Sequence, residues 1–368
     1  MKKVILSMVA GMLLQCISMA QLTTLPSGGN KKAITGERVG LTDVTIDYSR
    51  PAVKGREGKI WGGLVPYGFT NLGFGTSKSA PWRAGANENT TIDFSTDVTI
   101  EGKKLAAGKY GFFIAVGKDE STLIFSKAND AWGSFFYNPD DDALRVTIKQ
   151  KSLDNAVEFL QFVFLNQTTN TADIALQWEK LSFPFKVESD VNSLQAAYFR
   201  KELASSKGFD WKVWAQAASW TVDNNTNLEE GLQWADYAIS GPFIGEKNFT
   251  TLSTKARILN KMGKNADADA IMKEASTMGS MTEVHGYARR LLADKKTAEA
   301  LEAFKANYKK FPNVFTTNVG MARGLSASGD YKQALKYANN ALLQAPDDNN
   351  KNSVMGMIEK LKAGKDGN

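Results

Sequence analysis

The run Val98-Thr99-Ile100-Glu101-Gly102-Lys103-Lys104-Leu105-Ala106-Ala107-Gly108-Lys109-Tyr110-Gly111-Phe112-Phe113-Ile114-Ala115-Val116 decides how the first half of this chain folds. Short apolar segments are separated by glycine turns at Glu101-Gly102 and Ala107-Gly108, which leaves no room for a helix between them. The same habit extends in both directions. Val44-Thr45-Ile46-Asp47-Tyr48, Ile92-Asp93-Phe94, Leu144-Arg145-Val146-Thr147-Ile148 and Ile174-Ala175-Leu176-Gln177-Trp178 alternate apolar and polar residues, the period of a strand with one buried face. Tyr110–Val116, Leu123–Phe125 and Val157–Phe164 are richer runs, and they predict strands buried on both faces. Further turns stand at Val116-Gly117-Lys118-Asp119 and Asn138-Pro139-Asp140. Many short strands without intervening helices, from Val39 to Val187, predict an all-β sandwich or jelly-roll-like domain.

After Val187 the pattern changes to helical spacing rich in Ala, Lys and Glu, beginning with Asn192–Ser205. Ala300-Leu301 with Phe304 and Pro312 is answered by Ala334-Leu335 with Ala338 and Pro346, a spacing of 34 residues. Ala268 and Gly231 occupy the same position in looser upstream units. Ala256 with Ala268, Ala288 with Ala300 and Ala322 with Ala334 are small pairs that let helices approach closely. Over Asp210–Pro346 this resembles the tetratricopeptide family. The aromatic that opens that family's pattern is replaced by Val284 and Asn318, so the repeats are degenerate and no specific peptide-clamp chemistry carries over. Trp211, Trp214, Trp220 and Trp234 crowd the first helical unit, where core packing, or a seam against the β domain, explains them better than a cofactor box.

The chain opens with Met1-Lys2-Lys3, an apolar run from Val4 to Met19 and Ser18-Met19-Ala20 before Gln21, the order of a cleaved secretory signal. Leu13-Leu14-Gln15-Cys16 resembles a lipoprotein box, but Gln15 is larger than the residue such a box needs. The expected organisation is a signal at 1–20, a β domain at 21–187 and a helical-repeat domain at 188–368. The product is expected in the periplasm or outside the cell, without lipid on Cys16 and with no transmembrane segment after cleavage. Cys16 is the one cysteine of the chain, so the mature protein relies on burial rather than disulfides. Without Lys2 and Lys3 the chain holds 43 Lys and Arg against 39 Asp and Glu, in no basic stripe, and nucleic acid is not an expected partner.

Three segments stand out in the β half: Gly40-Leu41-Thr42-Asp43-Val44-Thr45-Ile46-Asp47-Tyr48-Ser49-Arg50-Pro51, Gly62-Gly63-Leu64-Val65-Pro66-Tyr67-Gly68, and Pro81-Trp82-Arg83-Ala84-Gly85-Ala86-Asn87-Glu88-Asn89-Thr90-Thr91. With Leu105–Gly111 they resemble a family of exported bacterial proteins known as domain of unknown function 2911. The resemblance implies an architecture over Val39–Val187 and no activity. Between the Pro-Tyr-Gly turn and the Trp-Arg pair this chain inserts Phe69–Ala80, rich in Gly and Ser.

Trp82, Arg83, Asn87, Glu88 and Asn89 are candidate ligand-binding residues: a flat ring, a bidentate fork, and amides with a carboxylate. Tyr48 and Arg50 add a second loop. An architectural reading is preferred, since pockets are few in any protein: Arg83 neutralises Glu88 or Asp47, Trp82 plugs the sandwich, Asn89 caps a turn, and Tyr48-Ser49-Arg50-Pro51 ends a strand. No catalytic or metal-binding set is identified. His285 is the one histidine and reads as an ordinary helix residue, and no nucleophile elbow, Walker loop or dinucleotide fingerprint occurs. Glu88 with Asp47 or Asp93 would supply the two carboxyls of a hydrolase, and Asp140-Asp141-Asp142 reads as a solvated turn. The expectation is therefore an exported binding or scaffold protein that uses no cofactor and is not an enzyme, with a protein or peptide on its helical repeats. A carbohydrate or small-ligand module centred on Trp82-Arg83 is the second reading, and an envelope hydrolase the third.

Overall fold

A computed structural model describes residues 29–368. The signal segment, its junction at Gln21 and Cys16 lie outside the described residues. The chain divides into two compact units between Leu194 and Gln195.

The first unit is two antiparallel sheets. One has the order β1 (Lys31–Val39), β2 (Thr42–Arg50), β3 (Thr90–Phe94), β6 (Gly108–Ala115), β7 (Glu120–Ser126) and β8 (Asp142–Lys149). The other runs β5 (Lys103–Leu105), β4 (Val98–Ile100), β10 (Thr171–Ser189), β9 (Lys151–Leu165). Alternation sorts the side chains. On β2, Val44, Ile46 and Tyr48 are buried while Asp43 and Thr45 are exposed and Asp47 is half-buried. The inner faces meet through aromatic rings, with Phe112 5.7 Å and Phe125 5.8 Å from Phe185, and Tyr48 4.9 Å from Phe162. The two sheets thus form the expected sandwich.

Tyr110–Ala115 and Leu123–Phe125 are buried, as their composition predicts. Their outward residues Phe113 and Ile124 form a second small core with Tyr137, beneath the segment that follows β7. The Phe69–Ala80 insertion lies over the same segment: the Ser77 N–H donates to the Phe135 carbonyl at 2.9 Å, and Phe74 meets Phe135 at 5.4 Å. Val157–Phe164 departs from expectation. It belongs to β9, in which Leu160 and Phe162 are buried and most of the others are exposed or half-buried, because alternate side chains of a strand point to opposite faces and only one face meets the core; beyond β10, Pro51–Val53 bond to its second edge at Glu158–Leu160. β1 was not visible in the sequence pattern: it is a mostly exposed edge with Ile34 open to solvent.

Ten consecutive helices follow among the described residues: α1 (Val191–Leu203), α2 (Trp211–Asp223), α3 (Leu228–Ser240), α4 (Phe249–Lys261), α5 (Asn265–Met278), α6 (Met281–Ala293), α7 (Thr297–Lys310), α8 (Phe315–Ala327), α9 (Tyr331–Leu343) and α10 (Asp348–Lys362). Successive helices pack as pairs. The small residues sit where the partners cross: Ala256, Ala268, Ala288, Ala300, Ala322 and Ala334 are all buried, and a Cβ at Gly231 would stand 2.1 Å from Thr221 Oγ1. Helix starts are set by capping boxes at Asn248/Thr251 and Ser280/Glu283 and by Asp210, Asp330 and Asp347, which satisfy otherwise orphaned N–H groups. Of the four tryptophans, Trp234 is buried in the core and Trp214 packs against it, while Trp211 and Trp220 are half-buried; Phe199 of α1 meets Trp220 at 5.4 Å and Trp234 at 6.1 Å, and the Trp214 indole donates to the Gly208 carbonyl at 2.7 Å.

Candidate functional site

Trp82 and Ile114 exchange both backbone hydrogen bonds, at 2.9 and 2.8 Å. This pairing holds the backbone extended, and successive side chains of an extended chain point to opposite sides. Trp82 turns into the end of the sandwich, stacked 6.1 Å from Trp178 with rings 18° apart and edge-on to Trp61 at 5.7 Å. Its indole N–H donates to the Gly85 carbonyl at 3.2 Å. Beside this aromatic plug lies Glu179, buried, accepting from the Trp61 indole at 3.1 Å and the Gly58 N–H at 3.2 Å. Arg83 turns the other way. Its Nη1 donates to the Asn87 carbonyl at 2.7 Å, the guanidinium covers the Phe135 ring at 5.2 Å, and a Cβ at Gly133 would come within 2.5 Å of its Cζ. Burial pushes the guanidinium pKa down. The neighbours expected from sequence, Glu88 and Asp47, are engaged elsewhere: Glu88 accepts from Ser49 Oγ at 3.4 Å, and Asp47 lies 3.6 Å from the Lys32 ammonium. The ion pair assigned to Arg83 is therefore corrected to a carbonyl and a ring. A joint Trp82-Arg83 surface does not form, because adjacent residues of an extended segment cannot face one ligand.

The loop that follows is tightly held. Thr90 Oγ1 donates to the Ala84 carbonyl at 2.9 Å, and Ala84 and Asn87 take left-handed conformations (φ 50° and 59°). This turns Glu88 and Asn89 onto the outer face of the six-stranded sheet, beside the row in which Asp47 stands opposite Thr91 and Thr91 opposite Gly111. There they line a cleft of about 240 Å³ with Lys32, Asp47, Lys109 and Asp130. Asn89 is 5% exposed, and its Nδ2 and Asp47 Oδ1 are buried without a hydrogen-bond partner. Tyr48 borders the cleft, but its ring lies in the core against Phe162. Asn87 is adjacent, donating to Ser49 Oγ at 3.4 Å. Arg50 is elsewhere, donating to the Leu160 carbonyl at 2.8 Å. Of the carboxylate pairs considered from sequence, Asp47 and Glu88 share the cleft, while Asp93 stands opposite Thr45 and Lys109 on exposed strand positions. Lys32 is not legible in the sequence because β1 is not, Lys109 because only strand register brings it near Glu88, and Asp130 because its loop is drawn in by the Asn89 N–H bond to the Ala131 carbonyl.

The helical unit holds a larger groove, about 760 Å³, between α5 and α7. Ala270, Ala298, Ala303 and Ala306 line it with small side chains, together with Tyr287 of α6 and the charged Lys273, Glu299 and Glu302. Elsewhere in the unit His285 packs edge-on to Phe304 at 5.5 Å with its Nδ1 buried and unpartnered. Burial first, then the charges of Arg289 and Arg323, pulls its pKa down to about 4.

The arrangement defines a two-unit protein, a β sandwich followed by an array of paired helices. The model of the family described as "Protein of unknown function (DUF2911)" matches residues 30–187, the span of the β unit. No curated protein matches the chain. Among the described residues no helix is long and apolar enough to cross a membrane.

Proposed function

We propose that the chain is an exported, non-enzymatic binding protein whose helical unit holds a segment of a protein partner. The supporting observation is the groove between α5 and α7, whose alanine lining admits a chain segment closely and whose tyrosine and carboxylates supply polar groups. The spacing of 34 residues and the small residues at each helix crossing support a tetratricopeptide-like array. Such arrays present extended surfaces rather than reaction centres. The expected test uses the full chain as bait in an envelope extract, with bound proteins identified by mass. Ala270→Arg with Ala306→Arg, two substitutions on the groove wall, should release a protein that the unaltered chain retains, with the melting temperature unchanged. Retention of the same proteins by both forms would contradict the reading. Export is part of the proposal: the Lys2-Lys3 start and Ser18-Met19-Ala20 support cleavage before Gln21. Intact-mass measurement should give a mature chain beginning at Gln21, and a diacylated Cys16 would overturn this.

A further inference from the structure

We propose that the cleft on the outer face of the six-stranded sheet binds a small zwitterion, a free α-amino acid. The β unit would then carry a binding site of its own, independent of the helical groove. Both signs of charge line the cleft: the carboxylates of Asp47, Glu88 and Asp130 and the ammonium groups of Lys32 and Lys109. Two of its polar atoms are buried and unpartnered, a donor (Asn89 Nδ2) and an acceptor (Asp47 Oδ1). The Lys32 ammonium, at 3.6 Å from that acceptor, is within ion-pair reach but too far for a hydrogen bond. Buried polar groups in folded proteins are almost always hydrogen-bonded, to protein or to ordered water, and a ligand offering both an acceptor and a donor would satisfy the pair left over beside this one cleft. An α-amino acid does so with its carboxylate and its ammonium group.

Other chemistries fit less well. No group of three or more Asp, Glu, His or Cys among the described residues is arranged to hold a metal ion, which argues for an organic cation spread over the carboxylates. The one aromatic at the cleft, Tyr48, keeps its ring in the core, so a sugar or nucleobase finds no platform to stack on. Pockets for drug-sized ligands run to about 300–1,000 Å³, and this cleft of about 240 Å³ suits something smaller. Its rigid Arg83–Thr90 wall preorganises Glu88 and Asn89, which reduces the ordering cost of binding.

Calorimetric titration of the full chain with L-alanine, L-glutamate and L-lysine tests the assignment, with propionate and ethylamine as probes that each keep one charge. The site predicts saturable binding of at least one amino acid with Kd below about 1 mM, and at least tenfold weaker binding of the single-charge probes. Glu88→Gln and Lys109→Met should each weaken binding at least about tenfold while melting like wild type. In the unaltered protein the Asn89 side-chain amide resonance should move on addition of the bound amino acid, a readout that needs no variant. Absence of binding by all three amino acids at about 1 mM, equal binding of ethylamine, binding undiminished in both variants, or an unmoved Asn89 amide would overturn the proposal.

Discussion

At Arg83 a guanidinium rests on the Phe135 ring and donates to the Asn87 carbonyl, and the energetics of the site follow from the absence of a carboxylate among those contacts. Breaking a buried ion pair costs roughly 3–5 kcal/mol because a charge is left uncompensated. Here Arg83→Met removes the charge itself, so the loss is one hydrogen bond from a charged donor and one cation–π contact, offset by relief of desolvation. A decrease of about 1 kcal/mol in unfolding free energy is expected from denaturant titration; a loss of roughly 3 kcal/mol or more would mean that a carboxylate partner exists after all. His285 yields a pH prediction. Its folded pKa of about 4 lies below the ordinary 6.5, so between those values the unfolded chain binds a proton that the folded chain does not. Stability is fully present above pH 6.5 and falls as the pH drops toward 4, by up to roughly 3 kcal/mol from this group. The fall from pH 7 to 4.5 should be smaller in His285→Gln than in wild type, and equal slopes would contradict the assignment. Sequence gave His285 no partner, and its Nδ1 has none in the fold; the depressed pKa was illegible because burial and the two nearby arginines are properties of packing.

Among the elements, the clearest lesson lies at the helix crossings. The alanines spaced along the repeats were legible because a small residue is demanded wherever two backbones approach, and the same demand explains Gly231. Helix propensity favours Ala over Gly by about 1 kcal/mol in a helix interior. A Cβ at Gly231, however, would meet Thr221 Oγ1 at 2.1 Å, and Thr221 is itself buried. Overpacking costs typically 1–3 kcal/mol, so sterics outweigh propensity and Gly231→Ala should lower the melting temperature. A raised melting temperature would show that α2 and α3 can part at no cost. In the β unit, strands with one clean buried face were readable, whereas β1 was hidden because an exposed edge needs no alternation: its sequence Lys31-Lys32-Ala33-Ile34-Thr35 places an apolar residue in solvent. The ligand cleft stayed hidden for a related reason. Glu88 and Asn89 were visible as a polar run, but the lysines facing them arrive from β1 and β6 through pairing register.

For the whole molecule, each unit closes its own core. Ser189 belongs to the sandwich, its hydroxyl bonded to Thr42 Oγ1 at 2.8 Å, while Asp190 caps α1 by accepting the Ser193 N–H at 3.1 Å. A cut between Ser189 and Asp190 therefore leaves both sets of contacts intact, and each half should melt cooperatively alone. A helical half that becomes ordered only on mixing with the β half would show one cooperative unit instead. The central claim, that the groove between α5 and α7 seats a protein segment, is tested most directly by placing a photo-crosslinking amino acid at Ala306, on the groove wall, and at Leu343, an exposed position outside it. Irradiation in living cells should give an adduct of one defined mass from position 306 and none from position 343; no adduct from 306, or the same adducts from both positions, would contradict the account.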